Sequence, residues 1–360
     1  MTLIGTDGTL LRREIGEQPA ILAATVDQVS EPARQAALAI RARGIRMAVL
    51  AGRGSSANAA QYGRYLLEVL TGLPVSIAAP SVITMYHRVP DWAPAATIAI
   101  SQSGQGRDVI EVATAARNAG SLTLAITNDA VSPLAQAVEL PLVTPAGMES
   151  SVPATKTYTS TLLVLALLAR GLIADPEPAG LGDGQLAGLA SAAGSVLDHE
   201  GEIAEVAERL PGTGRCVVIG RGLNRATAYE VALKIQETAY LLAQAHGASD
   251  FLHGPLAVID EGFQVVALLA GGPTAPAVIE ALRRARERGA RSLVICDGRE
   301  AAEAARPLAD DLIGLDTGLS EVLSPIGLSM AGQLLALHLA LARGLSPEQP
   351  RALDKVTVTR

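Results

Sequence analysis

Short apolar runs alternate with stretches of helical periodicity along most of the chain. Runs rich in Val, Ile, Leu and Ala, such as residues 47–51 and 215–220, show no strict alternation of apolar and polar positions. This pattern is typical of parallel strands that are buried on both faces and joined by right-handed helical crossovers. The pattern therefore predicts an α/β protein built from doubly wound parallel sheets.

The same pattern occurs twice. Residues 46–68 resemble residues 215–237, since each has an apolar strand, a Gly-Arg-Gly turn and a helix. Residues 97–129 resemble residues 264–298 at nearly the same offset, about 168 residues. A constant offset between two pairs of segments indicates two copies of one unit.

The length of 360 residues suits two domains. Proline and glycine near residue 176 mark the connection between the copies, and helical periodicity precedes the first strand. We therefore predict five segments: an N-terminal helical arm (1–43), a first α/β domain (44–175), a linker and lead-in helix (176–200), a second α/β domain (201–345) and an extended tail (346–360).

The composition is that of a soluble globular protein. Hydrophobic residues make up 49% and charged residues 18% of the chain, and no apolar run approaches the roughly 20 residues that span a membrane. The longest apolar stretch, 162–169, is expected to be a buried helix, and no export signal opens the chain. The formal net charge of −7 argues against nucleic acid or an acidic membrane surface as a partner. Cys216 and Cys296 lie in apolar runs, so we expect reduced core thiols in a cytoplasmic protein.

Two turns in the first copy combine glycine with hydroxyl side chains. Residues 52–56 are Gly-Arg-Gly-Ser-Ser and residues 101–104 are Ser-Gln-Ser-Gly, and each turn lies between a strand and a helix. Ligands of open parallel sheets bind beyond the carboxyl ends of the strands, where the strand order reverses. Amides, hydroxyls and helix N-termini at one place favour a small anion, above all phosphate. Taken alone, each turn is also compatible with a tight turn or a capped helix start.

Neither turn matches a nucleotide-binding motif. The first lacks the third glycine of the dinucleotide pattern, and no Gly-Lys-Ser/Thr follows. The equivalent of the second turn in the second copy, residues 269–273, has no hydroxyl.

A third segment, 149–163, is expected to start a helix with serine caps and Pro153. Together these features favour a phosphate monoester over a nucleotide.

The second copy carries charges on a helix that is otherwise mostly apolar. Glu230, Lys234 and Glu237 are spaced four and three residues apart, so they lie on one face of the helix 224–244. A solvated Glu–Lys pair is the simpler interpretation, but an apolar helix with three charges on one stripe favours catalysis. His253 follows in a loop and is a candidate for proton transfer. No cluster has the spacing of metal ligands, so no metal is expected.

These motifs together resemble the double sugar-isomerase-domain (SIS) proteins, which include the isomerase half of glucosamine-6-phosphate synthase and the glucosamine-6-phosphate deaminases. The shared sequences, in chain order, are GRGSS, SQSG, ESSVPATKT, YEVALKIQETAY, HGPLA and LDKVTVT. The six motifs extend over about 310 residues. The resemblance implies two tandem SIS domains, of which the first binds phosphate and the second carries the catalytic helix.

The resemblance also implies roles for individual residues. Glu237 would move a proton between C1 and C2 of the open-chain sugar, with Glu230 and Lys234 around it. His253 would open the sugar ring from the neighbouring subunit of a homodimer, and Lys355 would close over the substrate. No cofactor is implied. The residues implied to bind the sugar and its 6-phosphate are Gly54, Ser55, Ser56, Ser101, Gln102, Ser103, Ala154 and Thr155.

The activity implied is that of an amino-sugar-phosphate deaminase/isomerase, which converts glucosamine 6-phosphate to fructose 6-phosphate and ammonia. Three enzymes remain as alternatives: an ammonia-dependent glucosamine-6-phosphate synthase, a galactosamine-type deaminase and a fructosamine-phosphate deglycase. A non-catalytic regulator that binds a sugar phosphate is the alternative from another class.

The chain departs from the synthase at three of the motifs. Gly106 stands where the synthase has a hydroxyl residue, which implies the loss of one phosphate contact. Ala154 replaces a serine, and Asp250 replaces a glutamate. Because no glutaminase domain or N-terminal cysteine nucleophile precedes the arm, we expect no glutamine-fed synthesis unless a separate partner delivers ammonia.

Overall fold

The computed structural model describes residues 8–210, 212 and 214–355. Residues 1–7 of the predicted arm and 356–360 of the predicted tail lie outside the described residues. The remainder contains two five-stranded sheets with helices between the strands.

The strands of the first sheet are β1 (Met47–Ala51), β2 (Val75–Ile77), β3 (Ala95–Ile100), β4 (Leu122–Thr127) and β5 (Leu140–Val143). This sheet is entirely parallel and has the order β2-β1-β3-β4-β5. Strands β1 and β3 are in register at Leu50 and Ile98. The helices in this half of the chain are α1 (Thr9–Gly16), α2 (Gln18–Ala42), α3 (Ser55–Thr71), α4 (Pro80–Thr84), α5 (Arg107–Asn118), α6 (Pro133–Ala137) and α7 (Lys156–Leu172).

The strands of the second sheet are β6 (Arg215–Gly220), β7 (Leu242–Gly247), β8 (Gln264–Ala270), β9 (Arg291–Asp297) and β10 (Asp311–Leu315). This sheet is also parallel and has the order β7-β6-β8-β9-β10. The helices are α8 (Asp183–Asp198), α9 (Glu200–Glu208), α10 (Asn224–Ala239), α11 (Ala248–Leu252), α12 (Ala275–Arg286), α13 (Arg299–Ala305) and α14 (Ser324–Ala342), with 3₁₀ turns at Pro255–Val258 and Arg306–Leu308.

The two sheets have the same topology. The strand order of the second sheet is that of the first with each number raised by five. The central strands β3, β4 and β8 are buried along their whole length, as expected for parallel sheets covered on both faces. The prediction of two doubly wound α/β repeats is therefore confirmed, as is the helical N-terminal arm.

The chain divides into two compact units that each combine separate segments. Among the described residues, the first-sheet unit contains 20–149, 156–187 and 354–355. The second-sheet unit contains 8–19, 150–155 and 188–353. Helices α1 and α2 of the predicted arm thus belong to different units. The predicted limits of the five sequence segments remain predictions.

One helix of the described part of the chain, α14, is long and apolar enough to cross a membrane by length and composition alone. Most of it is buried inside the protein, where it packs against α9 and α10. The stretch 162–169 lies in α7 and is buried, as predicted. The sequence analysis did not single out α14, because Ser329, Gly332 and Gln333 interrupt its apolar pattern.

Candidate active site

The two predicted anion-binding turns leave neighbouring strands of the first sheet. Strands β1 and β3 pair directly, with Ala51 opposite Ala99 at their carboxyl ends. The order of the sheet reverses between them, because β2 lies on the other side of β1 and β4 follows β3. This is the position where open α/β sheets bind ligands. The structure therefore brings the turns 52–56 and 101–104 to one edge of the sheet.

Glycine is required in both turns by backbone geometry. Gly54 has φ 52° and ψ −130°, a conformation that residues with a Cβ rarely adopt. Gly104 has φ 60°, and a Cβ at this position would overlap the side chain of Ser132. The tight turns leave Ser55 and Ser56 in the first turn of α3, where the positive end of the helix dipole favours an anion. The Ser56 N–H donates to the Arg53 carbonyl at 2.9 Å.

The second turn is fixed by hydrogen bonds to β4 and the residues after it. Ser101 N donates to Ile126 O at 3.0 Å, and Asn128 N donates to Gln102 O at 2.9 Å. Thr127 Oγ1 also donates to Gln102 O, at 3.3 Å. These hydrogen bonds fix the backbone of the turn, and Ser101, Gln102 and Ser103 are half-buried, so part of each residue reaches solvent. Residues of this kind can bind an anion without large rearrangement.

An ion pair that sequence reasoning missed connects the first turn with helix α5. Arg53 Nε lies 2.6 Å from Asp108 Oδ2. The Asp108 carboxylate is buried, whereas the arginine is half exposed. Because α5 follows the second turn, this pair ties the two turns to each other. The sequence offered one signal, an arginine between the two glycines of the first turn.

The loop 150–155 is held by the Glu14 carboxylate and by the backbone carbonyl of Glu348, both distant from it in the sequence. Buried Glu14 of α1 accepts hydrogen bonds from the backbone N–H groups of Ser150 and Ser151. Val152 N donates to the carbonyl of Glu348 at 3.1 Å. The Glu348 carboxylate accepts from Leu10 N at the start of α1, at 2.6 Å. Glu14 and Glu348 were not predicted as site residues, since nothing local in the sequence relates them to this loop.

These contacts position the two sugar-binding candidates of the loop. Thr155 is buried, and its carbonyl accepts a hydrogen bond from Gln333 Nε2 at 3.4 Å. Ala154 is half-buried. Both residues belong to the second-sheet unit.

Lys355 forms an ion pair inside the first-sheet unit. Its Nζ lies 2.7 Å from Oε2 of Glu149. The Glu149 carboxylate is fully buried and also accepts hydrogen bonds from Thr157 N and Thr157 Oγ1. Glu149 is a further residue that the sequence analysis did not assign, although it begins the ESSVPATKT motif. It fixes the position of the predicted tail lysine.

The predicted charged stripe is present on α10. Lys234 Nζ lies 3.4 Å from Glu230 Oε1 and 2.6 Å from Glu237 Oε2. The side chains of Glu230 and Lys234 are 1% and 3% exposed, whereas that of Glu237 is 18% exposed. One ammonium group thus bridges two carboxylates, and Glu237 is the carboxylate that solvent or a ligand can reach.

The histidines of the second-sheet unit differ in environment. His253 follows α11 and is exposed. His246, at the end of β7, is half-buried, and its pKa is lowered, mainly by burial. The Asp250 carboxylate opposes this shift, and the Arg225 guanidinium adds to it. His338 lies 3.0 Å from Glu200. Of the histidines in this unit, His253 is the one with free access to solvent in a loop.

No group of histidine, cysteine and carboxylate side chains among the described residues is arranged to hold a metal ion. Cys216 and Cys296 are buried free thiols in β6 and β9. Burial raises the pKa of both thiols to about 12. They are therefore core residues and not nucleophiles.

The predicted site residues fall into two groups. The phosphate-binding candidates of the two turns and Lys355 belong to the first-sheet unit, whereas the charged stripe, His253, Ala154 and Thr155 belong to the second-sheet unit. The first group offers hydroxyls, helix N-termini and one lysine, and the second group offers the ionisable side chains of the stripe and His253 together with Ala154 and Thr155.

Comparison with known proteins decides the family. The SIS domain profile matches the chain twice, at residues 43–170 and 210–341. The chain belongs to the SIS domain family. This confirms the resemblance identified from the six motifs, and the two matches coincide with the two sheets.

Relatives of this SIS protein include enzymes that act on sugar phosphates. It is 37% identical over 306 residues to glutamine–fructose-6-phosphate aminotransferase (isomerizing) of Methanothermobacter thermautotrophicus, covering 85% of this chain and 50% of the relative. The C-terminal domain of glucosamine-fructose-6-phosphate aminotransferase from Francisella tularensis has a similar structure, with a TM-score of 0.79, 25% identity and coverage of 95% and 98% of the two chains.

A third relative shows the fold alone. Glucosamine-6-phosphate deaminase from Thermotoga maritima superposes with a TM-score of 0.73 at 20% identity, with coverage of 98% of this SIS protein and 100% of the deaminase. The chain spans about half the length of the curated aminotransferases it matches.

Proposed function

We propose that this SIS protein is an amino-sugar-phosphate deaminase/isomerase. The reaction is glucosamine 6-phosphate plus water to fructose 6-phosphate plus ammonia, by proton transfer between C1 and C2 of the open-chain sugar. The observation that carries the proposal is the buried Glu230–Lys234–Glu237 stripe on α10. Burying charges costs free energy that ion pairing often fails to offset fully, so three charges on one largely buried stripe favour a functional role.

Glu237 is the proton-transferring base in this proposal. Of the two carboxylates that meet Lys234, it is the one exposed to the surroundings. Proton transfer needs a carboxylate within hydrogen-bond reach of the substrate carbon or its hydroxyl. Lys234 holds the carboxylate in place and supplies positive charge for the developing enediolate oxygen, while Glu230 balances that lysine from the buried side.

The phosphate is bound by the turns of the first sheet. Ser55, Ser56, Ser101, Gln102 and Ser103 offer hydroxyl, amide and backbone donors at the start of α3 and after β3. A phosphate held far from the reacting carbons supplies positioning energy that is used at the transition state. Gly106 reduces the number of hydroxyl donors relative to the synthase, so backbone N–H groups take a larger share of the phosphate contacts.

Three further residues have proposed roles. Lys355, oriented by Glu149, closes over the open-chain sugar, and Ala154 and Thr155 line it. Exposed His253 opens the ring from the partner subunit of a homodimer. The proposal requires both groups of residues to act on one substrate molecule, and a crystal structure with bound fructose 6-phosphate tests this requirement.

Glu237→Gln tests the assignment of the base. We expect kcat for ammonia release from glucosamine 6-phosphate to fall at least about 100-fold, because loss of a general base costs roughly 10²–10⁴ in rate. KM should change less than about threefold, since the phosphate contacts remain. The matched control is Glu303→Gln, at an exposed glutamate of α13. A Glu237→Gln enzyme with kcat within threefold of the wild type would refute the assignment.

Mixed dimers test the donation of His253. Glu237→Gln and His253→Ala homodimers should both be inactive. If the histidine acts across the interface, a heterodimer of the two variants contains one intact pair of Glu237 and His253, so mixing and refolding should restore a measurable fraction of wild-type activity. Absence of recovery in a heterodimer confirmed by native mass spectrometry contradicts donation across the interface.

Ammonia-dependent synthesis of glucosamine 6-phosphate is the second candidate. The 37% identity to half of an aminotransferase favours it. Both reactions need the same proton transfer, so two assays separate them by direction. One assay supplies fructose 6-phosphate with ammonium salts and measures synthesis, and the other supplies glucosamine 6-phosphate alone and measures ammonia release. The same panel, extended to galactosamine 6-phosphate and a fructosamine phosphate, separates the other two enzymes. Sugar-phosphate binding with no product in any assay identifies a regulator.

A further inference from the structure

A cavity of about 470 Å³ lies beside the carboxyl end of α10. Its lining residues are Tyr240, Arg343, Leu345 and Arg351. All four belong to the second-sheet unit, and the proposed reaction uses none of them. The volume lies within the range of about 300–1,000 Å³ that is usual for small-molecule pockets.

The walls of the cavity are fixed by backbone hydrogen bonds. Arg343 follows the last residue of α14 and donates its N–H to the Leu339 carbonyl at 3.2 Å. Leu345 N donates to Ala340 O at 2.9 Å. These two lining residues are therefore anchored to the most buried helix of the unit.

Tyr240 is held in an uncommon conformation. It ends α10 with φ 52° and ψ 35°, in the left-handed region that residues with a side chain rarely adopt. Its Oη accepts a hydrogen bond from Arg351 N at 3.0 Å, and the Arg351 guanidinium lies 4.6 Å from the centre of its ring. Residues whose surroundings hold them in such a strained backbone conformation are often found at ligand sites. The phenolic hydrogen is still available for donation, because Oη acts as the acceptor in this contact.

The charge of the cavity is positive. Two guanidinium groups line it, and none of the lining residues is acidic. Arg351 forms no ion pair with a carboxylate of the residues that the structure describes. Most arginines of this chain behave differently: Arg12, Arg43 and Arg53, for example, each meet a carboxylate. A cavity with two cations and no acidic residue is suited to an anion.

We propose that this cavity binds a small phosphorylated metabolite through its phosphate group. A phosphate dianion matches the two guanidinium charges and offers enough oxygens for both arginines and for the Tyr240 hydroxyl. A single carboxylate has one negative charge and satisfies one arginine. Leu345 supplies an apolar surface for the rest of the molecule.

The site is placed where it affects the proposed chemistry. Tyr240 directly follows the helix that carries Glu237, and Arg351 precedes Lys355 by four residues. A phosphate bound to Arg351 therefore restrains the segment that leads to the tail lysine. This regulatory effect depends on the proposed function, whereas binding itself does not.

Binding is tested with inorganic phosphate at constant ionic strength by isothermal titration calorimetry. The background is Ser101→Ala/Ser103→Ala, in which the proposed substrate-phosphate site is weakened. In this background we expect Arg351→Gln to lower the affinity for phosphate at least tenfold and Arg351→Lys to retain part of it. Tyr240→Phe, which keeps the ring and loses the hydroxyl, should lower the affinity severalfold. The matched control is Arg299→Gln, an exposed arginine of α13, which should leave the affinity within twofold.

Three results would overturn the inference: no phosphate binding in the serine background, binding that Arg351→Gln and Arg343→Gln both leave unchanged, or tighter binding of malonate than of phosphate. Circular dichroism confirms that each variant is folded.

The regulatory effect is measured separately, in the enzyme with intact serines. Phosphate that competes at the substrate site raises KM, whereas phosphate in the cavity changes kcat. Arg351→Gln should remove only the change in kcat. If Glu237→Gln keeps full activity while Arg351→Gln loses binding, the proposed function fails and the phosphate site stands.

Discussion

Lys234 shows how a few local contacts allow charges to be buried. Its ammonium group meets carboxylates at positions i−4 and i+3 of the same helix, so the spacing in the sequence alone places all three on one face. The sequence therefore predicted the stripe correctly. It did not predict that Glu237 would be the more exposed carboxylate, because exposure depends on the elements that surround α10.

The pair of Glu149 and Lys355 is expected to be energetically coupled. Lys355→Met removes a cation that lies 2.7 Å from the fully buried Glu149 carboxylate, and we expect the free energy of unfolding to fall by about 1–3 kcal/mol. Since the lysine side chain is 23% exposed, the loss should lie toward the lower end. Glu149→Gln in the Lys355→Met background should recover part of the loss, which gives a coupling energy of about 1–2 kcal/mol in a double-mutant cycle.

The control for this cycle is the surface pair of Arg299 and Glu303, which are 86% and 66% exposed. Exposed pairs are usually worth less than about 1 kcal/mol, so Arg299→Met and Glu303→Gln should be nearly additive. Equal coupling energies for the two pairs, measured by urea unfolding, would show that burial of Glu149 has no energetic consequence.

His246 is expected to make stability depend on pH. Burial lowers its pKa in the folded protein, below the unfolded value of about 6.5. The unfolded chain therefore binds the proton more readily, so the contribution of His246 to stability is complete above about pH 6.5 and is lost as the pH falls below it. The drop in melting temperature from pH 7.5 to pH 5.5 should be smaller in His246→Gln than in the wild type. His87→Gln, at an exposed histidine, is the control, and an identical drop in all three proteins would contradict the prediction.

At the scale of elements, α10 is positioned by its close approach to α14. Both helices belong to the second-sheet unit, and Gly332 of α14 faces Val231 of α10. A Cβ on Gly332 would overlap Val231 Cγ2 and lie 3.2 Å from Val231 Cβ. The absence of a side chain at position 332 thus sets the distance between the helix with the charged stripe and the core helix.

Gly332→Ala should therefore destabilise the unit. Overpacking of a core costs about 1–3 kcal/mol, and this should exceed the gain in helix propensity of about 1 kcal/mol. The control is Gly194→Ala in α8, where a Cβ would meet no atom within 4 Å, and this change should stabilise the protein slightly. Val231→Ala combined with Gly332→Ala should recover part of the loss. Equal stability of Gly332→Ala and Gly194→Ala in urea unfolding would disprove the close packing.

The elements that the sequence predicted well are those with local signals. Apolar runs and Gly-Arg-Gly turns gave the strands β1 and β6 and the helices after them, because strand burial and tight turns leave a pattern within about ten residues. The helix α14 was overlooked as the main apolar helix, since small and polar residues such as Gly332 interrupt its pattern. Its burial comes from neighbours that are distant in the sequence.

At the scale of the whole chain, the duplication was visible from the sequence, and the long-range contacts were not. Two pairs of segments with a constant offset sufficed to predict two copies of one sheet. Glu149 and Lys355 are 206 positions apart, and Glu14 and Ser151 are 137 apart. No periodicity relates residues at such separations, so only the fold could identify Glu14, Glu149 and Glu348 as residues that hold the candidate site. The roles assigned to Ser55, Ser101, Glu237 and His253 stay predictions until the experiments above are done.

The contact of α1 with Glu348 has a consequence for the order of folding. The first helix begins with a backbone N–H group that donates to a carboxylate 338 positions later. Closing so long a loop costs chain entropy before the contact contributes to stability, whereas the turns and helices of each repeat close over short separations. We therefore expect α1 to dock late, on a second-sheet unit whose local elements have already formed.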